Sequence, residues 1–587
     1  MGAESILHAL DAAAGMHPGA ASILFERARI REALGDDAAA EAGYRAAIAA
    51  NPRFFRAHND LGLLYNRHGL RVDALQCFIA AIEADATNAT GHANLGAMLL
   101  AGDDLAGARA AFERALALVA DHPGARRGLT DVCARLGLPA PPAPAVLPAA
   151  PAPAANDADA TDPYLAFVFD IAANAIVGGD DDAAFAFLEA IVPGDPRAVA
   201  LLWRVADFAG SQRRFAIARR TFERALAIEP DHVEVRMGLA IVLEEMGESD
   251  AARALWRSDG LRGAVRLFPY RGAGEPVRVL TIASALHAIR YDLFVDATLM
   301  QNMVLATQAY DPAQPLPAHD VVLVAIADVE SDAPALAIAR AICERTACPV
   351  LNHPDRVAHT SRTEVATRLS DIDGAVTAPA VAASRAALLA RDAGAAVRER
   401  GCTFPLLVRS PGFHNGRYFE LVADAAQLPA VLAALPADDV LLIAYRETRS
   451  PDGMVRKFRV MMIDGRLYPV HLAISPHWKV HYVTSAMAES EAFRAEEAAF
   501  LRDMPGVLGA RVVATLEAIA AALQLDYGGI DFGLAPDGRV VVFEANGAMA
   551  IFLPDADPRW DYRRAAMTAA IRAATHMIVE RARVPVA

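Results

Sequence analysis

Near the C-terminus two carboxylates and an amide are spaced so that one hairpin could bring them together. The segment reads Gly528-Gly-Ile-Asp-Phe-Gly-Leu-Ala-Pro-Asp-Gly-Arg-Val-Val-Val-Phe-Glu-Ala-Asn546. Pro-Asp-Gly between two apolar runs is a turn signal, so a β-hairpin is predicted. With a loop at Asp537-Gly538, Asp531 lies opposite Glu544. Asn546 shares their face, because residues two apart in a strand point the same way. Ile530, Phe532 and Leu534 then pair with Phe543 and Val541 on the buried face. A three-residue loop breaks that match and sets Asp531 beside Phe543. The first register, or a bulged equivalent, is preferred because it segregates apolar from polar. Two facing carboxylates repel and destabilise a sheet. A hard divalent cation removes the penalty, and these oxygens suit Mg²⁺, with phosphates and water completing its octahedron. The plainer alternative is an exposed acidic edge. On the metal reading, Asp531→Asn and Glu544→Gln are expected to leave the metal-free fold intact.

A second signal is compositional. Of the 56 basic residues only Lys457 and Lys479 are lysines. A chain that otherwise writes arginine keeps both within one short stretch, Val455-Arg-Lys-Phe-Arg-Val and His477-Trp-Lys-Val-His481. Chance surface lysines are the alternative for each.

These residues need a scaffold, and from Val277 the pattern supplies short apolar runs between helical segments. Val277–Ala283, Val321–Ala327 and Pro349–Pro354 are strand-like, with Ala333–Arg345 helical between the last two. That alternation implies a small α/β unit with a parallel sheet. An α+β region follows, with strands near Phe404–Arg409, Val440–Tyr445, Phe458–Ile463, Gly529–Leu534 and Val540–Ala545.

The N-terminal half has a different period. Tyr44, Phe78 and Phe112 recur every 34 residues, each with Ala four before and three after it. Leu61-Gly62 and Leu95-Gly96 repeat at the same interval, and Leu188, Phe222 and Trp256 form a second series, with Pro196 and Pro230 in register. Each unit is predicted to be a helical hairpin in which small residues allow close approach and the aromatic fills the gap. The pattern resembles the tetratricopeptide repeat (TPR), with about three units in 20–138 and two to three in 163–260. Between the blocks, Pro139 to about Thr161 is Pro/Ala-rich and reads as an extended linker. Such arrays present a curved surface that binds peptides or protein segments; self-association or a purely structural role is the alternative.

At the hairpin the sequence resembles the ATP-grasp superfamily, in its glutathione-synthetase-like and ribosomal-protein glutamate-ligase-like branch. The resemblance covers about 277–580, and Glu-x-Asn after a Gly-Ile-Asp strand is its most specific part. It implies that Asp531, Glu544 and Asn546 hold magnesium, or manganese, bridging the phosphates of ATP. Val350-Leu-Asn-His-Pro-Asp-Arg resembles the segment closing the small domain before the ATP-grasp domain. Phe404-Pro-Leu-Leu-Val-Arg-Ser-Pro-Gly-Phe-His-Asn-Gly416 resembles a strand leading a phosphate-contacting cation into a glycine-rich loop, which implicates Arg409, Gly412 and Gly416. Arg409 stands where the family has lysine, as does Arg362 at an earlier position; arginine can bind phosphate bidentately. His414 falls in the loop, where a shaping role is as plausible as a catalytic one. Leu441-Leu-Ile-Ala-Tyr445 is similar to the hinge strand whose backbone reads adenine. Lys457-Phe-Arg459 resembles an Asp-x-Arg strand with Lys457 in place of the acid. The resemblance implies that Arg459 meets the transferring phosphoryl group and that Lys479 sits among substrate-binding basic residues.

The expectation is therefore a multidomain chain. An all-α helical-repeat half comprises 1–138, linker 139–162 and 163–262. An α/β pre-ATP-grasp unit, 277–375, and an α+β ATP-grasp domain, 376–582, follow. The implied activity is an ADP-forming carboxylate–amine ligase working through an acyl phosphate, with the repeats recruiting a peptide or protein. A repeat scaffold with a non-catalytic nucleotide-binding domain, or an ATP-grasp kinase, are the alternatives.

Composition bounds the rest. A net charge of −15 argues against nucleic acid or an anionic membrane as the main partner. No apolar run reaches the roughly 20 residues of a membrane span. No secretory signal is visible, and a cytoplasmic location is expected. Cys77, Cys133, Cys343, Cys348 and Cys402 are scattered and read as small buried hydrophobes.

Overall fold

A computed structural model describes residues 3–119, 122–139, 162–193, 195, 197–285, 291–326, 329, 332–390, 392–411, 418–480, 485–547, 549–551, 553–554 and 557–583. The contacts divide the chain into two units, Met1–Trp256 and Arg257–Ala587.

The first unit is built of antiparallel helical hairpins such as Phe55–Arg67 with Arg71–Ala84 and Ala89–Ala101 with Leu105–Leu118. The repeated glycines set how closely paired helices approach. A Cβ on Gly62 would lie 2.8 Å from the Phe78 ring, and one on Gly96 would lie 2.7 Å from the Phe112 ring. Tyr44, Phe78, Phe112 and Phe222 are all buried in these gaps.

One feature departs from two blocks on a loose tether. Helix Ala3–Met16, which precedes the repeats read from the 34-residue period, packs on Asp181–Ile191, and Ala21–Ala33 packs on Pro163–Gly178. A single apolar core runs from Ile6, Phe25 and Tyr44 through Leu165, Phe187 and Leu202 to Phe222. The Ser22 backbone N–H donates to Asp180 at 3.1 Å across this junction. The two repeat blocks thus meet through their first helices, because those helices carry apolar residues on more than one face. The linker itself, at 140–161, and Pro196 lie outside the described residues.

The second unit contains, among the described residues, strands β1 (Arg266–Leu267), β2 (Val277–Ala283), β3 (Met300–Ala306), β4 (Val321–Ala325), β5 (Val350–Leu351), β6 (Ala375–Val376) and β7 (Ala380–Ser384). These continue as β8 (Leu406–Arg409), β9 (Phe419–Val422), β10 (Asp439–Ala444), β11 (Val455–Ile463), β12 (Arg466–Ser475), β13 (Tyr527–Leu534) and β14 (Val540–Asn546). They form three sheets, ordered β1-β3-β2-β4-β5, β7-β10-β8-β9 and β12-β11-β13-β14-β6. In the first, β2 to β5 are parallel, as the alternating pattern implies, and their residues are buried on both faces. The other two are antiparallel apart from the β14–β6 pair.

Six of these strands, β1, β3, β6, β7, β9 and β12, escape a hydropathy reading. β12 is the most consequential. Its Pro469 interrupts the apolar run, yet β12 is an edge strand and Pro469 stands where the β11–β12 register shifts, positions that tolerate proline.

Candidate functional site

The β13–β14 hairpin combines both registers considered above. At the turn Ala535 N–H donates to the Arg539 carbonyl, and Leu534 pairs with Val540, so the loop has three residues. The register then shifts between Asp531 and Phe532, which restores Asp531 opposite Glu544, Ile530 opposite Ala545 and Gly529 opposite Asn546. The extra residue is Phe543. It is not on the buried face as the unbulged register requires but 37% exposed. A bulge re-aims side chains, and here it returns the two carboxylates to one face.

The hairpin is clamped at its open end by Asn352, which is fully buried and has φ of 55°. Its amide nitrogen donates to the carbonyls of Tyr527 and Gly547 at 2.7 and 2.6 Å. Its amide oxygen accepts from the Asp526 and Tyr527 N–H groups, both at 3.0 Å. Backbone groups at the start of β13 and just beyond β14 are thereby satisfied by one side chain from the parallel sheet.

Asp531 is fully buried, but it is not left to repel Glu544. β11 lies on its other side with Arg459 directly opposite. Arg459 Nε and one terminal nitrogen donate to Asp531 Oδ1 and Oδ2 at 2.7 and 2.9 Å, and Lys457 Nζ lies 2.6 Å from Oδ2. Arg362, the first residue of helix Arg362–Arg368, donates to Glu544 Oε1 at 3.0 Å. Burial pushes the Asp531 carboxyl up, but Arg459 and Lys457 outweigh it and hold the group well below the usual carboxylate range. The same contest lowers Glu544: burial raises it and Arg362 brings it down, Asp531 opposes, and Lys457 and Arg409 add to the lowering. The neutralisation that the sequence assigns to a metal is therefore already supplied by side chains. Four cations, Arg362, Arg409, Lys457 and Arg459, act on these two carboxylates.

The other predicted residues separate into three groups. Asn546 ends β14 and, with Arg362 and Glu544, lines a solvent-open cleft shared with Thr377, Ala378 and Ile443 at the β7–β10 side. Arg409 ends β8, and Tyr445 follows β10, its hydroxyl 3.3 Å from Glu447. Lys479 is not brought to the acid pair. It faces Glu420 of β9 at 3.4 Å, while neighbouring Trp478 packs edge-on against Phe419 at 5.5 Å, so this segment is fastened to the β9 edge. Gly412, His414 and Gly416 lie outside the described residues.

Sequence reading missed the polar row that continues past Arg459. On β12, His471 pairs with Arg459, and its Nδ1 lies 2.6 Å from Glu497 Oε1. Glu497 is fully buried on helix Glu491–Arg502, and it also accepts from the Leu472 N–H, Tyr562 and Arg563. Arg563 is 1% exposed and lies over the Trp560 ring, its guanidinium carbon 4.1 Å from the centroid. Burial lowers the His471 pKa, so the ring stays neutral at pH 7 against an ionised Glu497. Only β12, which hydropathy does not reveal, links these residues to Arg459.

The donor chemistry of the hairpin fits a hard cation. Among the described residues no three His, Cys, Asp or Glu side chains are grouped to hold a metal. A magnesium ion at Glu544 and Asn546 would therefore need the Asp531 carboxylate or phosphate and water oxygens. Asp531 Oδ2 accepts two of the three bonds from Lys457 and Arg459 and Oδ1 one, so Oδ1 keeps acceptor capacity.

The comparisons bear first on the class of protein. Family models described as tetratricopeptide repeat match residues 7–53 and 211–257. The first unit thus contains tetratricopeptide repeats, and it is joined in sequence to a mixed α/β unit. Among solved structures, MamA is 15% identical, with 40% of this chain and 88% of that chain covered and a TM-score of 0.17. YrrB, described as a TPR protein with an unusual peptide-binding site, is 16% identical over 38% and 95%, with a TM-score of 0.19. The VanG D-Ala:D-Ser ligase from Enterococcus faecalis is 11% identical over 52% and 100%, with a TM-score of 0.34. No curated protein matches the chain. Among the described residues no helix is long and apolar enough to cross a membrane.

Proposed function

We propose that the C-terminal unit is an ATP-grasp ligase that couples ATP cleavage to formation of a carbon–nitrogen bond. The observation that carries this reading is the cluster of Arg362, Arg409, Lys457 and Arg459 about Asp531 and Glu544, beside an open cleft lined by Arg362, Glu544 and Asn546. Such a cluster favours a polyanion, and phosphoryl transfer depends mostly on positioning and electrostatic stabilisation. In this reaction a substrate carboxylate attacks the γ-phosphorus and ADP leaves, giving an acyl phosphate. An amine then attacks the acyl carbon, phosphate leaves, and the amine proton passes to solvent or a base. Arg459 and Arg409 stabilise charge on the transferred group, Arg362 orients Glu544, and the β10 end with Tyr445 borders the base. Bound magnesium would offset phosphate charge, with Glu544 and Asn546 as its protein oxygens.

Full-length protein with Mg-ATP, a carboxylate and an amine should release ADP and phosphate, and Mg-ATP should raise the melting temperature of the second unit. Glu544→Gln should reduce that rise. Arg459→Ala should lower kcat by about 10²- to 10³-fold, the range for deleting a donor aimed at transition-state charge. AMP and pyrophosphate as products would refute the acyl-phosphate route.

A second reading has one observation in its favour. Both Asp531 oxygens are engaged by Lys457 and Arg459, as suits a repeat scaffold whose nucleotide domain binds without turnover. Nucleotide binding with no ADP formed in any substrate mixture would establish it. ADP formed without a new amide would indicate a kinase.

The TPR unit, on this proposal, recruits a peptide or protein that carries the acceptor. Removing residues 1–256 should raise KM for that acceptor far more than it lowers kcat, since tethering adds effective concentration rather than chemistry. Unchanged kinetics would leave the repeats a role in assembly or localisation.

A further inference from the structure

We propose that Lys457 is a built-in cation of the nucleotide cleft, so that the site binds a polyphosphate anion without a divalent metal. The inference rests on the nucleotide reading and adds how the site meets the phosphates.

Lys457 and Arg459 are two apart on β11 and share a face, and both reach across to Asp531 on β13. Their side chains are 26% and 25% exposed, whereas that of Asp531 is 1% exposed. The two cationic heads therefore cover the carboxylate and face the solvent side themselves. A ligand approaching Asp531 from the solvent side meets the ammonium and guanidinium before it meets the carboxylate. At Glu544 the order is reversed: the Arg362 side chain is 16% exposed and the carboxylate 34%, so Glu544 itself faces the cleft.

A divalent ion at Asp531 Oδ2 would have to displace an ammonium already 2.6 Å from that oxygen and a guanidinium nitrogen at 2.9 Å. Mg²⁺ demands oxygen ligands at about 2.0–2.1 Å in near-ideal octahedral geometry and gives up water reluctantly. The easier exchange leaves both cations on Asp531 and uses their remaining N–H donors for phosphate oxygens. Lysine carries three donors and arginine five, so each can bridge Asp531 and a ligand at once. With Arg362 and Arg409 nearby, the cluster attracts anionic phosphate before any metal is added.

The test is calorimetric titration of the full chain with ATP and with inorganic tripolyphosphate, first in excess EDTA and then in excess magnesium. Both anions should bind in EDTA, ATP with a Kd within about tenfold of its value with magnesium. Lys457→Met should weaken EDTA binding by tenfold or more while costing less in magnesium, and Lys457→Arg should retain it. Should Lys457→Met destabilise the fold, Lys457→Gln, which removes the charge but keeps an N–H donor for Asp531, should show the same loss. Binding of Mg-ATP with none in EDTA, or equal affinities of native and Lys457→Met protein in EDTA, would overturn the inference and leave the nucleotide reading standing. If neither ATP nor Mg-ATP binds, both fall.

Discussion

Replacing Asp531 with alanine should cost the C-terminal unit about 3–5 kcal/mol, the usual penalty for breaking a buried ion pair by removing one partner. Arg459 is bound through two nitrogens and Lys457 through one, and without the carboxylate both are left beside a fully buried cavity. Asp531→Asn should be destabilising as well, because it keeps the shape and loses the charge. That reverses the expectation drawn from two facing carboxylates, in which the metal-free fold is indifferent to either substitution. Asp531→Asn with Lys457→Met should recover part of the loss, since one uncompensated cation goes with the anion. The effect has a pH signature. The folded pKa of Asp531 lies below its unfolded value, so its contribution is complete above the unfolded pKa, near 4, and is lost as pH falls toward the depressed value. Calorimetric melting of the second unit from pH 7 to 2.5 should fall less steeply below pH 4 in Asp531→Asn than in the native chain. Equal stability and equal slopes would mean that the ion pairs do not form in solution.

Glu497→Ala should be comparably damaging, again about 3–5 kcal/mol, although Glu497 is not expected to touch any ligand. Its carboxylate is fully buried and accepts from His471, the Leu472 backbone, Tyr562 and Arg563, so removal strips a deeply buried guanidinium of its carboxylate. Glu497→Gln keeps an acceptor oxygen and should cost less. Because Glu497 holds His471, which pairs with Arg459, a variant that still folds should also shift turnover more than ATP affinity. Chemical denaturation of the full chain followed at the transition of the second unit reads the first effect. A loss under 1 kcal/mol would show that the network adds nothing net.

Two parts of this protein were legible in the amino-acid order because their causes are local. A 34-residue period places glycine on one helix and an aromatic on the next, and that contact is repeated by neighbouring hairpins. Alternation on both sides of Pro-Asp-Gly brings Asp531 opposite Glu544, although a three-residue turn and a bulge at Phe543 together achieve what one simpler loop was expected to do.

What surrounds that pair was decided by tertiary structure. Arg459 reaches Asp531 over 72 residues of sequence, Arg362 reaches Glu544 over 182 and Asn352 reaches Gly547 over 195. No periodicity encodes which strand lies beside which at such separations. Strand order fixes it, with β11 inserted between β12 and β13. The same holds for the repeat blocks, whose first helices share a core because apolar surface beyond one stripe has to be buried somewhere. The sequence alone determined which chemical groups were present and which local elements carried them. Only the packing of elements far apart in the chain decided that the two carboxylates are compensated by lysine and arginine.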